Sequence, residues 1–137
     1  MAEPMQVAVM AADGPVWEGE ATQVIVRTTE GDMGVLSGHE PFMAALVPCA
    51  AEVTSVDGRR EVIALDEGFI SVFNNRVSVL SAFGVLAHEI SLDEARRTEA
   101  QLHELVDSGH ADHQQVRAYN RAVAQVKAGE KLAQVSR

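Results

Sequence analysis

Through the first eighty residues, apolar side chains recur at roughly every second position. MQVAVMAA (5–12), TQVIVRT (22–28), AAEVTSV (50–56), REVIALD (60–66), GFISVF (68–73) and RVSVLSA (76–82) are rich in Val and Ile with partial alternation. That period of two predicts strands with one face buried. Turn signals separate them: Asp13-Gly14-Pro15, Glu30-Gly31-Asp32, Asp57-Gly58 and Asn74-Asn75. Asp57-Gly58 between two strand runs predicts a two-residue hairpin, and Asn74-Asn75 a second, weaker one. Short strands at this spacing, with no helical pattern between them, predict an antiparallel sandwich or barrel.

The period changes near Ala87. Ser91-Leu92-Asp93-Glu94 reads as a capping box, in which Ser91 accepts from the Glu94 amide. Leu92, Ala95, Leu102, Leu105 and Val106 follow at helical spacing, and Gly109 is placed to end the helix in a left-handed turn. Asp112 then caps a second helix, with Gln115 in the reciprocal position, and Val116, Tyr119, Val123 and Val126 form a narrow seam. The short connection predicts an antiparallel two-helix hairpin. The chain therefore divides into a β-sandwich over residues 1–86 and a helical hairpin over 87–137. Gly129 lies in the last turns of the second helix, where it weakens helicity by about 1 kcal/mol relative to Ala.

Composition narrows the class. Apolar residues are 47% and charged residues 23% of the 137, a globular balance. The longest apolar runs are too short to span a bilayer. The opening MAEPMQ has neither a basic region nor an apolar core, so no signal peptide is expected. Cys49 is the only cysteine, which suits a reducing compartment and allows no internal disulfide. The formal net charge of −9 argues against nucleic acid as a partner. Charge is also unevenly spread. Up to residue 86, twelve acids face only Arg27, Arg59, Arg60 and Arg76. From Gln114 onward, Arg117, Arg121, Lys127, Lys131 and Arg137 face only Glu130. Wheel spacing gathers Arg117, Arg121 and Lys131 away from the seam, so an acidic body carries a basic end.

Catalytic patterns are missing. There is no Gly-rich loop followed by Lys-Ser/Thr. His110 and His113 sit at the helix junction without metal-ligand spacing on one face. Ser37-Gly38-His39 lacks the strand-to-helix context of a nucleophile elbow, and Cys49 follows Pro48 with no base at hand. No active site and no cofactor are expected.

One segment is specific. Gly31-Asp32-Met33-Gly34-Val35-Leu36-Ser37-Gly38-His39-Glu40-Pro41 resembles the G-E-L-G-I-L-P-G-H-A-P segment of the epsilon-subunit family of rotary (F-type) ATP synthases, whose mitochondrial counterpart is the delta subunit. Gly68-Phe69-Ile70-Ser71-Val72 with Asn75 to Leu80 is similar to that family's G-F-x-x-V…N-x-V-x-V-L. Leu92-Asp93-Glu94-Ala95-Arg96 is similar to its L-D-x-x-R helix start. Nearly the whole chain is covered, in order. Ser37 and Cys49 depart from the family's proline and glycine.

The resemblance implies a β-sandwich of about ten strands followed by a two-helix hairpin. It implies a non-catalytic central-stalk subunit on the cytoplasmic face of the bacterial cell membrane, peripheral and without insertion into lipid. The implied partners are the gamma subunit and the c-subunit ring, with Asp32, Met33, Leu36, His39 and Pro41 as interface candidates. Gly31, Gly34 and Gly38 are expected to provide turns with positive φ. The hairpin is implied to regulate ATP hydrolysis through the alpha and beta subunits, with Arg117, Arg121, Lys127 and Lys131 as its basic face. ATP as a hairpin ligand would use Asp93, Arg96 and Arg121, but Gln125 stands where the family's last arginine is usual. On the residues alone, an unrelated soluble β-sandwich protein-binding module is the alternative.

Overall fold

The computed structural model describes residues 3–135. The chain forms β1 (Met5–Ala11), β2 (Gly14–Thr28), β3 (Gly31–Leu36), β4 (Phe42–Leu46), β5 (Cys49–Ser55), β6 (Arg60–Leu65), β7 (Gly68–Phe73), β8 (Arg76–Ser81) and β9 (Gly84–Leu86). A single 3-10 turn, Ala87–Glu89, leads to α1 (Leu92–Asp107) and α2 (His113–Val135). The sandwich followed by a hairpin is as the sequence predicts, with nine strands among the described residues.

β2 organises the sandwich. Its first half pairs with β1 and its second half lies between β3 and β5, with a register shift between Ala21 and Gln23. That irregularity lets one strand leave the first sheet and enter the second. The first sheet runs β4-β7-β8-β1 to the start of β2, and the second runs from β3 through the end of β2 to β5, β6 and β9. One pair, β1 with β8, is parallel, a departure from the all-antiparallel expectation. The two strands lie far apart in sequence, so no tight hairpin dictates their direction. Between the sheets sits an aliphatic core that includes Val9, Val24, Val35, Val53, Ile63, Leu65, Ile70 and Val79, all buried, with no helical residue in it.

The turns explain the local chemistry. Asn74 and Asn75 both take positive φ, +53° and +63°, the signature of the two-residue type I′ turn that matches strand twist. Asp57-Gly58 does not form a two-residue turn. Only Gly58 is left-handed (φ +88°), Ser55 N–H donates to Arg59 O at 2.8 Å, and the loop holds three residues. Asp57 accepts from the Ser55 hydroxyl and from Arg59 N–H, and these bonds hold its carboxyl below the usual carboxylate range. Gly31 and Gly38 have positive φ as expected, but Gly34 does not. It lies within β3 opposite Ile25, because the segment is a strand there and not a corner.

The hairpin packs on the second sheet. Ser91 caps α1 by accepting from Glu94 N–H at 3.4 Å, and Asp112 and Gln115 cap α2 reciprocally at 2.8 and 3.0 Å. Gly109, at φ +77°, turns the chain between the helices. Ala124 and Ala128 of α2 are buried against Val62 and Ala64 of β6, with Leu132, Val135, Ala50 and Val85 around them. Gly129 has a packing role that its helix propensity hides: a Cβ there would meet Leu92 Cδ1 at 2.9 Å. Leu105, expected in the seam, is exposed near the hairpin tip.

Gly68 sets the tightest constraint in the sheets. A Cβ at this position would lie 1.9 Å from Leu80 O and 2.8 Å from Ser81 Cα, both backbone atoms of the neighbouring strand. Such close approach is a reason for glycine in a strand. Gly68→Ala should therefore push β7 off β8 and destabilise the chain by about 3 kcal/mol or more. Urea unfolding would check it; a loss under about 0.5 kcal/mol would mean that the two strands separate easily.

Candidate functional site

The outer faces of the two sheets differ. α2 covers that of the second sheet, whereas the first sheet presents bare apolar side chains. Met43 is 70% exposed, Phe69 54%, Phe73 65% and Leu80 58%. Strand register gathers them. Phe69 pairs with Leu80 on one side and Ala45 on the other, and Leu80 pairs with Met10 of β1. Met10, Leu80, Phe69 and Ala45 thus form one row across four strands. Met43, Ser71, Ser78 and Ala8 form the next row, and Phe73 stands opposite Arg76. Glu18, opposite Ala8, adds an acid at the β2 rim. A contiguous apolar surface on a sheet, edged by charge, is a docking surface by its physics.

The sequence reading missed this surface, although a signal exists. In RVSVLS the buried phase is Val77, Val79 and Ser81, so Leu80 falls on the polar phase with Arg76 and Ser78. GFISVF carries large apolar residues on both phases. Apolar residues out of phase mark a strand that something covers on both sides.

The interface candidates from Gly31 to Pro41 do not form one cluster. Asp32 sits at the start of β3 and pairs with Arg27 at 3.2 Å, both well exposed. Leu36 sits at the end of the strand, about 13 Å away along its length. Met33 is half-buried against the core, and Pro41 is exposed. His39 stacks on Phe42 at 4.9 Å, and its Nδ1 lies 2.8 Å from Glu40 O. Asn75 braces this end by accepting from Gly38 N–H at 2.9 Å and donating to Pro4 O at 3.1 Å. Leu36 and Val56 are exposed there and line a shallow cleft with Pro4 and Thr22.

The basic residues of α2 do not present one free face. Arg121 Nε lies 3.8 Å from Asp66 Oδ2, and its guanidinium stands 5.0 Å over the Phe83 ring. Lys131 Nζ lies 3.4 Å from Glu52 Oε2. Lys127 and Arg117 are exposed, and Lys127 lines a cleft of about 360 Å³ with Arg27, Asp32 and Glu52. Of the residues offered for ATP, Asp93 is exposed and Arg96 pairs with Glu130 at 3.8 Å. Glu130 and Arg121 are nine positions apart on α2, about 13 Å of helix axis, so the two guanidinium groups sit at separate places.

Comparison with known proteins converges on one family. Residues 4–87 match the family model described as ATP synthase, Delta/Epsilon chain, beta-sandwich domain. The chain is 52% identical over 100 residues to the ATP synthase epsilon chain of Cutibacterium acnes, covering 72% of this chain and 68% of that one. It is 40% identical over 111 residues to the ATP synthase epsilon chain of Streptomyces avermitilis, covering 81% and 87%. In fold it is similar to a chain of the Euglena gracilis mitochondrial ATP synthase OSCP/F1/c-ring structure, with a TM-score of 0.71, 21% identity and coverage of 100% of this chain and 83% of that one. It is also similar in fold to a chain of the Tetrahymena thermophila mitochondrial ATP synthase central stalk/c-ring structure, with a TM-score of 0.56, 11% identity and coverage of 95% and 96%.

Cys49, at the start of β5, is buried in the core, and burial pushes its thiol up from the usual value. Arg27 N–H and the nearby cations oppose that shift without reversing it. At neutral pH its thiolate fraction is therefore below that of a free cysteine. Maleimide should label the folded chain at least about tenfold more slowly than the urea-unfolded chain. Equal labelling rates would place Cys49 at the surface.

Proposed function

The chain belongs to the ATP synthase delta/epsilon family, and we propose that it serves as a non-catalytic central-stalk subunit, coupling rotation of the c-subunit ring to the gamma subunit. The observation that carries this reading is the bare apolar face of β4, β7, β8 and β1. A subunit that turns with a shaft must be fixed to it, and a sheet face of large apolar side chains provides adhesion without a moving part. Burying a large apolar side chain in full contributes about 1.5–3 kcal/mol, so covering one that is about half exposed contributes roughly half of that. Gamma docks here. The chain lies at the cytoplasmic face of the bacterial cell membrane as a peripheral part of the complex. No helix among the described residues is long and apolar enough to cross a membrane.

The ring contact uses the end of the sandwich that carries Leu36, His39 and Pro41, with Asp32 further along β3. Exposed Leu36 and Val56 supply apolar area there, and Asn75 ties the loop to the β7–β8 turn by accepting from Gly38 N–H. A regulatory role for the hairpin is supported by its seat. α2 rests on the sheet through Ala124 and Ala128, flanked by Leu132 and Val135, and through ion pairs with Asp66 and Glu52.

Docking is tested with Phe69→Asp and Phe73→Asp. Both side chains are more than half exposed, so folding stability should change by less than about 1 kcal/mol. Affinity for gamma should fall at least about thirtyfold. Wild-type affinity in a folded double variant would move the gamma interface elsewhere.

The ring contact is tested with Asp32→Lys. The exposed pair with Arg27 contributes at most about 1 kcal/mol, so the chain should fold and assemble. Protons pumped per ATP hydrolysed, measured in membrane vesicles, should fall. Unchanged pumping in a fully assembled complex would leave Asp32 as a wall of the α2 cleft and nothing more.

A further inference from the structure

The turn that ends β3 is held by a side chain far away in sequence. His39 N–H donates to Leu36 O at 3.1 Å, which closes a four-residue turn, and Gly38 at its third position has φ +82°. That is the pattern of a type II turn, whose second position favours proline because the ring pre-sets φ. Ser37 occupies the second position here and pre-sets nothing. Gly38 N–H takes no part in the turn's own hydrogen bond and needs another acceptor. The constraint on the turn comes from outside it.

Asn75 supplies it. Its Oδ1 accepts from Gly38 N–H at 2.9 Å, and its Nδ2 donates to Pro4 O at 3.1 Å and to Glu3 O at 3.3 Å. The side-chain amide can face only one way, since reversing it would set NH2 against an N–H and oxygen against two carbonyls. The Asn75 carbonyl also accepts from Gln6 N–H at 3.1 Å. The Ser37 hydroxyl donates to Glu3 O and has Asn75 Oδ1, 3.3 Å away, as its alternative acceptor. Three segments distant in sequence thus meet at one half-buried asparagine: the residues before β1, the turn after β3 and the β7–β8 turn. Glycine would meet the demand for positive φ at position 75, so φ alone does not account for this side chain. Glu3, Pro4 and Ser37 also wall the cleft that Leu36 and Val56 line.

We propose that Asn75 and Ser37 are the positioning residues of the 36–39 turn, and that in this chain their hydrogen bonds to the N-terminal segment take the place of a proline in fixing where His39 and Pro41 sit. Neither side chain needs to touch a partner, because both act through the turn. This deepens the ring-contact reading and rests on it for any effect on coupling. The placement of the turn is a property of the single chain.

Asn75→Gly is the decisive variant. Glycine keeps the positive φ, so the β7–β8 turn is retained and only the side-chain amide is lost. Amide hydrogen exchange at His39, whose N–H closes the turn, should become at least about fivefold faster in the full chain, with β7 and β8 protected as before. Adding Ser37→Pro should bring His39 back to within about twofold of wild type, because proline restores the pre-set φ without the hydrogen bonds. Ser37→Ala leaves the β7–β8 turn untouched and should accelerate the same amide to a smaller extent. Wild-type exchange at His39 in Asn75→Gly overturns the proposal. So does an acceleration that Ser37→Pro fails to reverse, or one that extends to β7 and β8, because Asn75 would then brace the sandwich and not the turn. A separate measurement addresses the ring contact: protons pumped per ATP hydrolysed by the assembled complex should fall with Asn75→Gly and recover when Ser37→Pro is added. A loosened turn with unchanged pumping would sink the ring contact at this turn while leaving the positioning in place.

Discussion

Everything in this molecule hangs on the passage of β2 from one sheet to the other. Its fifteen residues span about 50 Å of extended chain, too long for one small sheet. The register shift between Ala21 and Gln23 resolves this by turning the strand where Ala21 is fully buried. Because one strand belongs to both layers, the sheets cannot slide past each other without breaking β2. Their outer faces therefore point to different sides of the molecule and are free to carry different work. The first sheet carries an exposed apolar face. The second is covered by the chain's own helix.

The strand alternation was legible wherever β-branched residues dominated, as in TQVIVRT and RVSVLS. It failed where strands had to be irregular. The first half of β2, GPVWEGEA, carries two glycines, a proline and two acids; Asp13-Gly14-Pro15 read as a turn and residues 16–21 as no element, yet in the structure they pair with β1. β3 and β4 were hidden inside a glycine-rich segment, because Gly31 and Gly38 do make turns and Gly34, between them, does not. β9 has three residues and no periodicity to read. The helix caps were legible because capping is local chemistry: Asp112 and Gln115 meet each other whatever the rest of the chain does.

What the helices pack against was harder to read. Wheel spacing placed Arg121 and Lys131 on an open basic face, and the structure turns both onto sheet acids. Two signals pointed to a covered sheet. Val62-Ile63-Ala64-Leu65 is an unbroken apolar run, as in a strand buried on both faces. Glu52 sits in the outward phase of an otherwise apolar β5. Neither says which element does the covering, since that depends on contacts between residues seventy positions apart. The apolar docking face was likewise visible only once register had put Met10, Leu80 and Phe69 in one row.

The outer faces of the two sheets differ in the chemistry they present. On the first sheet the exposed groups are Phe, Met and Leu, whose burial is strong per residue. On the second sheet the packing groups are Ala124, Ala128, Leu132 and Val135 of α2, with two ion pairs. Alanine loses no side-chain rotamer freedom on burial, so Ala124 and Ala128 pack on Val62 and Ala64 without that cost. Half-buried charges are the reverse: their net contribution is small because desolvation opposes attraction, but it is specific to the partner that answers them. The sequence had already separated the two in composition, with the acids concentrated in the sandwich and the bases in α2. The fold brings these opposite charges into contact between α2 and the second sheet.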